Sequence, residues 1–271
     1  MDRSQIRDHW TNWAQAHGTH FKATTRGRTA KLLELDAFAR MLTDLFEGGP
    51  FSALEVGCGN GINCIEMAKS FANATFDGVD FIPEMIDAAR EAAKAADVDT
   101  RTRFEVGDVL KLNDLDLREK YDVVLTDRCL INLNTAQLQR KAIVALAERI
   151  SLGGYLLMIE NSLDTHGRQN EARQALGLEA RKPAEFNRFF TEEEMRSHID
   201  AAGLKLVETE DFSSLHDLVL YALIPATNGG TIDYDHPAVA AAAETSMQFA
   251  AKEKNAFGAF GQNRLYVCRK D

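Results

Sequence analysis

The chain has 271 residues, 45% of them hydrophobic and 27% charged, with a formal net charge of −10. That length builds one substantial core in one or two domains of a soluble globular protein. The acidic balance leaves no electrostatic footprint for nucleic acid or an anionic membrane, and the longest apolar runs are strand-sized rather than membrane-spanning.

The start of the chain, Met1-Asp2-Arg3-Ser4-Gln5, has no apolar stretch of the kind that opens a secretory signal. The four cysteines, Cys58, Cys64, Cys129 and Cys268, show neither paired metal spacing nor a disulfide framework, so free thiols in a reducing cytoplasm are expected. The seven histidines contain no compact ligand set, and no metal is expected. Arg26, Arg28 and Lys31, and separately Arg181 and Lys182, are read as solvated helix faces.

In chain order, residues 4–17 read as an amphipathic helix with Ile6, Trp10 and Trp13 on one side. Residues 27–46 read as a second helix, stopped by Gly48-Gly49-Pro50. Strand and helix patterns then alternate, with strands near 51–57, 74–80, 102–107, 121–126 and 154–160 and helices near 62–72, 83–96 and 135–150. Such alternation predicts a parallel sheet covered on both faces, which binds ligands beyond the carboxyl ends of its strands. Glu55, Gly57, Asp80, Asp108, Asp127 and Glu160 all fall at or just past those ends. Beyond Glu160 the pattern loosens. A helix over 191–203 carries a Thr191–Glu194 capping box. Strands are expected at 204–212 and 216–224, an Ala-rich helix at 237–254, and a last strand at 263–269.

The first strand runs into Leu54-Glu55-Val56-Gly57-Cys58-Gly59-Asn60-Gly61, and the second ends in Gly78-Val79-Asp80. Glycines at that turn let a ligand approach the backbone, and a strand-end acid can accept hydrogen bonds from a ribose diol. A dinucleotide fingerprint needs a third small residue where this chain has Ile62. Glu55 would repel a pyrophosphate but suits an ammonium or a sulfonium.

The Glu55-x-Gly57-x-Gly59-x-Gly61 pattern resembles motif I of the class I S-adenosylmethionine-dependent methyltransferases. Val79-Asp80-Phe81-Ile82-Pro83 resembles the next motif of that family, and Phe104-Glu105-Val106-Gly107-Asp108-Val109 the third. Tyr121 to Arg128 resembles the fourth and Leu152 to Glu160 the fifth. The resemblance covers roughly residues 50–212, with a returning strand near the end. It implies an α/β, Rossmann-like seven-stranded sheet, mostly parallel with the last strand antiparallel. An N-terminal helical lid over 1–48 would precede a core over 49–271, with insertions near 162–190 and 226–256.

The resemblance also implies roles. Glu55 would meet the donor's ammonium, Gly57, Cys58, Gly59 and Gly61 its close backbone approach, and Asp80 its ribose. Phe81 and Met85 would pack on the adenine, with Asp108 and Val109 at its edge. Asp127 and Arg128 could orient an anionic acceptor, hold the donor's carboxylate, or form a structural ion pair. His166, and less so His216, follow strands and suit a general base. Trp10, Trp13, Phe21 and Arg28 would supply lid and acceptor contacts, the tryptophans also by cation–π stacking. The expected function is methyl transfer to a small molecule, with oxygen slightly favoured over nitrogen, in a monomer or homodimer. A protein or tRNA acceptor and a non-catalytic partner subunit remain alternatives. An NAD-dependent oxidoreductase is opposed by Ile62.

Overall fold

The computed structural model describes residues 1–271. Seven strands form one sheet: β1 Ser52–Val56, β2 Thr75–Asp80, β3 Thr102–Val106, β4 Tyr121–Asp127, β5 Ile150–Asn161, β6 Lys205–Glu210 and β7 Asn263–Arg269. Their spatial order is β3-β2-β1-β4-β5-β7-β6. The first five are mutually parallel, and β7 runs antiparallel between β5 and β6. The chain winds outward from β1 to β3 and then crosses to β4. The switch point therefore lies between β1 and β4, beside the glycine turn.

Alternate residues of the central strands feed two cores. Val123, Leu125, Leu157 and Ile159 pack towards α2 (Arg28–Phe46), α3 (Ile62–Ser70) and α4 (Pro83–Ala95). Val124, Leu156 and Met158 pack on the other face, towards α5 (Ala136–Glu148) and α7 (Glu192–Ala201). Double-sided burial explains why these strands read as continuous apolar runs. Pro83 opens α4, and the Thr191–Glu194 capping box opens α7, as the sequence predicts. No helix is long and apolar enough to cross a membrane.

Helix α1 (Arg3–His17) starts at an Asp2–Gln5 capping box. Its Trp10 and Ala14 pack with Phe81 and Ile82, the connection between β2 and α4, and with Met85 of α4. After α6 (Leu163–Ala175), residues 176–191 form neither helix nor strand apart from a single bridge, Ser162 to Phe190.

One predicted strand is corrected. Residues 216–224 are helical, running through α8 (Ser214–Leu218), a wide turn at Val219–Leu223 and α9 (Ile224–Thr227). Leu220, Tyr221 and Ile224 bury against Val239 of α10 (Pro237–Ala250), in a small cluster off the sheet. A short apolar run fits either geometry. Here β7 fills the slot beside β5 that such a strand would need.

Gly61 is assigned by resemblance to the ligand, yet it serves the packing of the fold. Its φ is +77°, and a Cβ there would lie 2.8 Å from Ala89 Cβ and 2.9 Å from the Phe104 ring. Gly153 has a similar φ of +80° but open space around it. Gly61→Ala is therefore expected to destabilise by about 2–4 kcal/mol, combining backbone strain with overpacking, and Gly153→Ala by about 1 kcal/mol. Equilibrium urea denaturation of the two variants checks the difference.

Candidate functional site

The site lies at the carboxyl edge of the sheet. After β1 the chain turns through Gly57 and Gly59, both with positive φ. A Cβ on Gly57 would lie 2.4 Å from Cys129 Sγ, so only glycine lets this turn meet the loop after β4. A Cβ on Gly59 would lie 2.6 Å from Thr24 Cγ2, which shows the N-terminal segment packed on the turn. Asn60 strengthens that contact by donating to the carbonyls of Gly18 and His20, each at 3.0 Å.

Two carboxylates flank the turn, and neither has a cationic partner. Asp80, at the end of β2, accepts from the Gly59 and Ile82 amides, each at 2.9 Å. Burial pushes its carboxyl up to about 6, against those hydrogen bonds. Glu55 accepts from Asn63 Nδ2 at 2.7 Å and from Cys64 Sγ at 3.1 Å. Burial pushes it up to about 7. Both line a cavity of about 420 Å³, together with Gly57, Cys58, Gly59 and Met85. A second cavity of about 50 Å³ reaches Asp108 and Val109, and shares Gly57, Asp80, Phe81, Cys129 and Asn132 with the first.

Beside Glu55 sits a buried circuit of charge. Lys31 Nζ lies 2.6 Å from both Glu34 Oε2 and Asp127 Oδ2. Arg128 Nε lies 2.9 Å from Glu34 Oε1 and 3.5 Å from Asp127 Oδ1. Asn63 donates to Asp127 at 3.0 Å, and Asn263 donates to Glu34 at 3.0 Å. Burial pushes Asp127 up, but Lys31 and Arg128 outweigh it and hold the carboxyl down at about 2. Burial lowers Lys31, and Asp127 with Glu34 more than restores it, so its ammonium is held above the ordinary range.

Asp127 and Arg128 form the expected ion pair. Both residues also line the main cavity. Lys31 is a correction, because the expected solvated lysine is buried at the centre of this circuit. Its signal was legible in principle. Lys31 and Glu34 stand three apart on the stripe of α2 that also carries Phe38 and Met41, where a charge needs a buried partner.

The loop after β4 is held by Glu160. Its carboxylate accepts from Thr126 Oγ1 at 3.0 Å and from the amides of Cys129, Leu130 and Ile131 at 3.0–3.2 Å. Burial raises it to about 8 against these donors. It lines neither cavity, so it shapes the site from behind.

The remaining wall comes from α1 and from residues 162–190. His9, Trp10, Trp13 and Phe186 make an aromatic cluster at the cavity, with His9 and Phe186 centroids 4.3 Å apart. Trp10 Nε1 donates to Asn132 Oδ1 at 3.0 Å. Arg3 lies 2.5 Å from Asp108 Oδ2, while Asp108 Oδ1 accepts from the Leu110 amide, so this acid is engaged by protein. His166 lies in α6, edge-on to Phe189, and neither ring nitrogen is hydrogen-bonded; Nε2 is fully buried. Burial, then Arg181, pushes it down to about 4, so it is neutral at pH 7.

Three expected contacts are not there. Phe21 stacks on His20 outside both cavities, and Arg28 is exposed and away from them. His216 is buried with both nitrogens engaged, by Thr29 Oγ1 at 2.9 Å and by Asp217 Oδ1 at 2.8 Å, and it lines neither cavity. Sequence reasoning missed Arg181 and Lys182, which lie in the irregular segment before α7 and line the main cavity rather than a helix face.

Residues 51–201, more than half of the chain, match the family model described as a methyltransferase domain. The chain belongs to that family. It is 31% identical to ajmaline N-methyltransferase of Rauvolfia serpentina over 46% of this chain, a match spanning under half of that relative, 45%. It is 26% identical to 27-O-demethylrifamycin SV methyltransferase of Amycolatopsis mediterranei (strain S699), over 76% of this chain and 69% of that protein. Its fold is similar to that of magnesium protoporphyrin IX methyltransferase from Synechocystis PCC 6803 with bound SAH, at a TM-score of 0.62 and 14% identity over 100% of each chain.

The cofactor of this family is S-adenosylmethionine, and the residues present fit it. Two unpaired carboxylates flanking a glycine turn match an ammonium at one end and a ribose diol at the other. By contrast, the Lys31 circuit is already closed. Lys31→Met would leave Glu34 and Asp127 to share Arg128 alone, and should destabilise by about 3–5 kcal/mol. Thermal and urea denaturation checks this.

Proposed function

We propose that the protein transfers the methyl group of S-adenosylmethionine to a small molecule, at oxygen in preference to nitrogen. The observation that carries the reading is one continuous cavity. It runs from the unpaired Glu55 and Asp80 to an acceptor wall of aromatic rings, a neutral histidine and arginine. A volume of about 420 Å³ lies in the range of small-molecule pockets, which supports this reading.

In this reading Glu55 takes the ammonium and Asp80 the ribose hydroxyls. Gly57, Cys58 and Gly59 line the backbone approach. Phe81 and Met85 pack on the adenine, whose edge meets Val109 and Asp108. Residues 1–48 act as the lid, with Trp10 and Trp13 facing the acceptor. The bound donor supplies a methyl group already activated by a positively charged sulfur. The protein therefore has mainly to orient the acceptor and exclude water, which accounts for roughly 7–11 kcal/mol in well-aligned systems. His166 accepts the hydrogen bond of an acceptor hydroxyl and takes its proton as the new carbon–oxygen bond forms and the methyl carbon–sulfur bond breaks. Asp127 and Arg128 hold the floor through their ion pairs.

The relatives include methyltransferases named for nitrogen and for oxygen acceptors. The cations Arg26, Arg181 and Lys182 on the cavity wall oppose a protonated amine and favour a hydroxyl. Titration calorimetry with S-adenosylmethionine, S-adenosylhomocysteine and NAD tests the cofactor. Binding of the first two and not the third is expected, and acceptor libraries are then screened by mass gain of one methyl. Binding of NAD alone would sink the proposal.

A pH dependence follows. In the free protein Asp80 and Glu55 titrate near 6 and 7 because burial disfavours their charge. Hydroxyls and an ammonium favour the ionised forms, so binding lowers both values and releases protons. S-adenosylhomocysteine affinity should therefore rise between about pH 5 and 7 and level off above. Asp80→Asn should flatten the lower part of that slope and weaken binding by about 1–3 kcal/mol. Calorimetry across pH reads both effects.

A further inference from the structure

Arg181 stands in a segment without helix or strand, yet it is held from every side. Its amide donates to Asn170 Oδ1 at 2.8 Å, and its carbonyl accepts from Asn170 Nδ2 at 2.9 Å. Its guanidinium carbon lies 3.6 Å over the centre of the Tyr221 ring. One terminal nitrogen donates to Gln169 Oε1 at 2.7 Å and to Gln262 Oε1 at 3.2 Å.

All of these partners are neutral. Elsewhere Arg40, Arg128, Arg188 and Arg264 each meet a carboxylate. Arg173, which donates to the Glu179 and Tyr221 carbonyls, adds a second cation nearby. The acid on the same wall, Asp217, is taken up by His216, Ser213 Oγ and the Gln262 amide. Arg181 thus lines the cavity without a carboxylate in ion-pair contact, Asp217 being the nearby acid on the same wall. Its Nε and second terminal nitrogen have no protein partner. A stacked guanidinium with free N–H groups in one plane matches a carboxylate bidentately.

We infer that Arg181 is the receptor for a carboxylate on the methyl acceptor, and that the acceptor is an aromatic carboxylic acid. The inference rests on the methyltransferase reading above. The aromatic body is argued from Trp10, Trp13 and Phe186 on the same cavity. The donor's own carboxylate is the competing source. It belongs at the Glu55 end, while Arg181 is supplied by the segment between α6 and α7.

The test uses the full chain saturated with S-adenosylhomocysteine. The probes are hydroxylated benzoate, naphthoate and cinnamate, each paired with its neutral amide. Binding is read by quenching of tryptophan fluorescence, which is local because the two tryptophans, Trp10 and Trp13, both line the cavity. The acids are expected to bind about ten- to a hundredfold tighter than the amides, as for a charge-assisted pair. Arg181→Gln should abolish that ratio, and Arg181→Lys, which keeps the charge and loses the fork, should restore part of it. Affinity for S-adenosylhomocysteine, measured separately by calorimetry, should stay unchanged in both variants.

Equal or absent binding of acids and amides to the wild type would overturn the inference. So would an acid preference that survives in Arg181→Gln. Loss of S-adenosylhomocysteine affinity in Arg181→Gln would place the donor's carboxylate on Arg181 and also overturn it. Failure of the wild type to bind S-adenosylhomocysteine, with the acid preference present, would overturn the cofactor reading instead.

Discussion

Four charges share the buried space between α2 and the end of β4, and the site is arranged around them. Lys31, Glu34 and Asp127 are almost wholly removed from water and Arg128 largely so, which no single one of them could sustain. Their closure into a circuit makes the arrangement tolerable and also makes it specific. A helix that precedes the sheet in sequence is keyed to one strand end, and Asn63 and Asn263 tie in α3 and the start of β7. The floor of the cavity is thus fixed by the part of the chain that also begins its roof.

Around that floor, carboxylates do two different jobs. Glu160 is saturated by a hydroxyl and three amides and holds a loop in shape. Glu55 and Asp80 are only partly satisfied and carry no counter-ion. The difference lies in what each acid lacks, since a carboxylate placed near a strand end is common to all three.

The parallel sheet was legible because double-sided burial writes strands as unbroken apolar runs closed by glycine or an acid. Even the bounds of β7 agree with the expectation. The segment at 216–224 was not legible, since an apolar run without alternation becomes strand or helix according to whether the sheet has a vacant neighbour. Lys31 was misread although Glu34 stands three residues on, because an i,i+3 pair looks solvated until the second counter-ion, Asp127, 96 residues away, is placed in space. Arg181 was misread for the opposite reason: its neighbours are uncharged and it sits outside any regular element. Gly61 shows a third limit. A glycine declares that room is needed, but here a methyl group and a phenyl ring claim that room.

Helix α1 has a consequence for traffic. It closes the smaller cavity with Arg3 and Ile6, and it walls the larger one with His9, Trp10 and Trp13. It is fastened to the body by a solvent-exposed ion pair, side-chain hydrogen bonds to Asn132 and Glu84, and one small apolar cluster. One element therefore walls both cavities. Any displacement of this helix would open the two together, through the short connection that begins at Gly18.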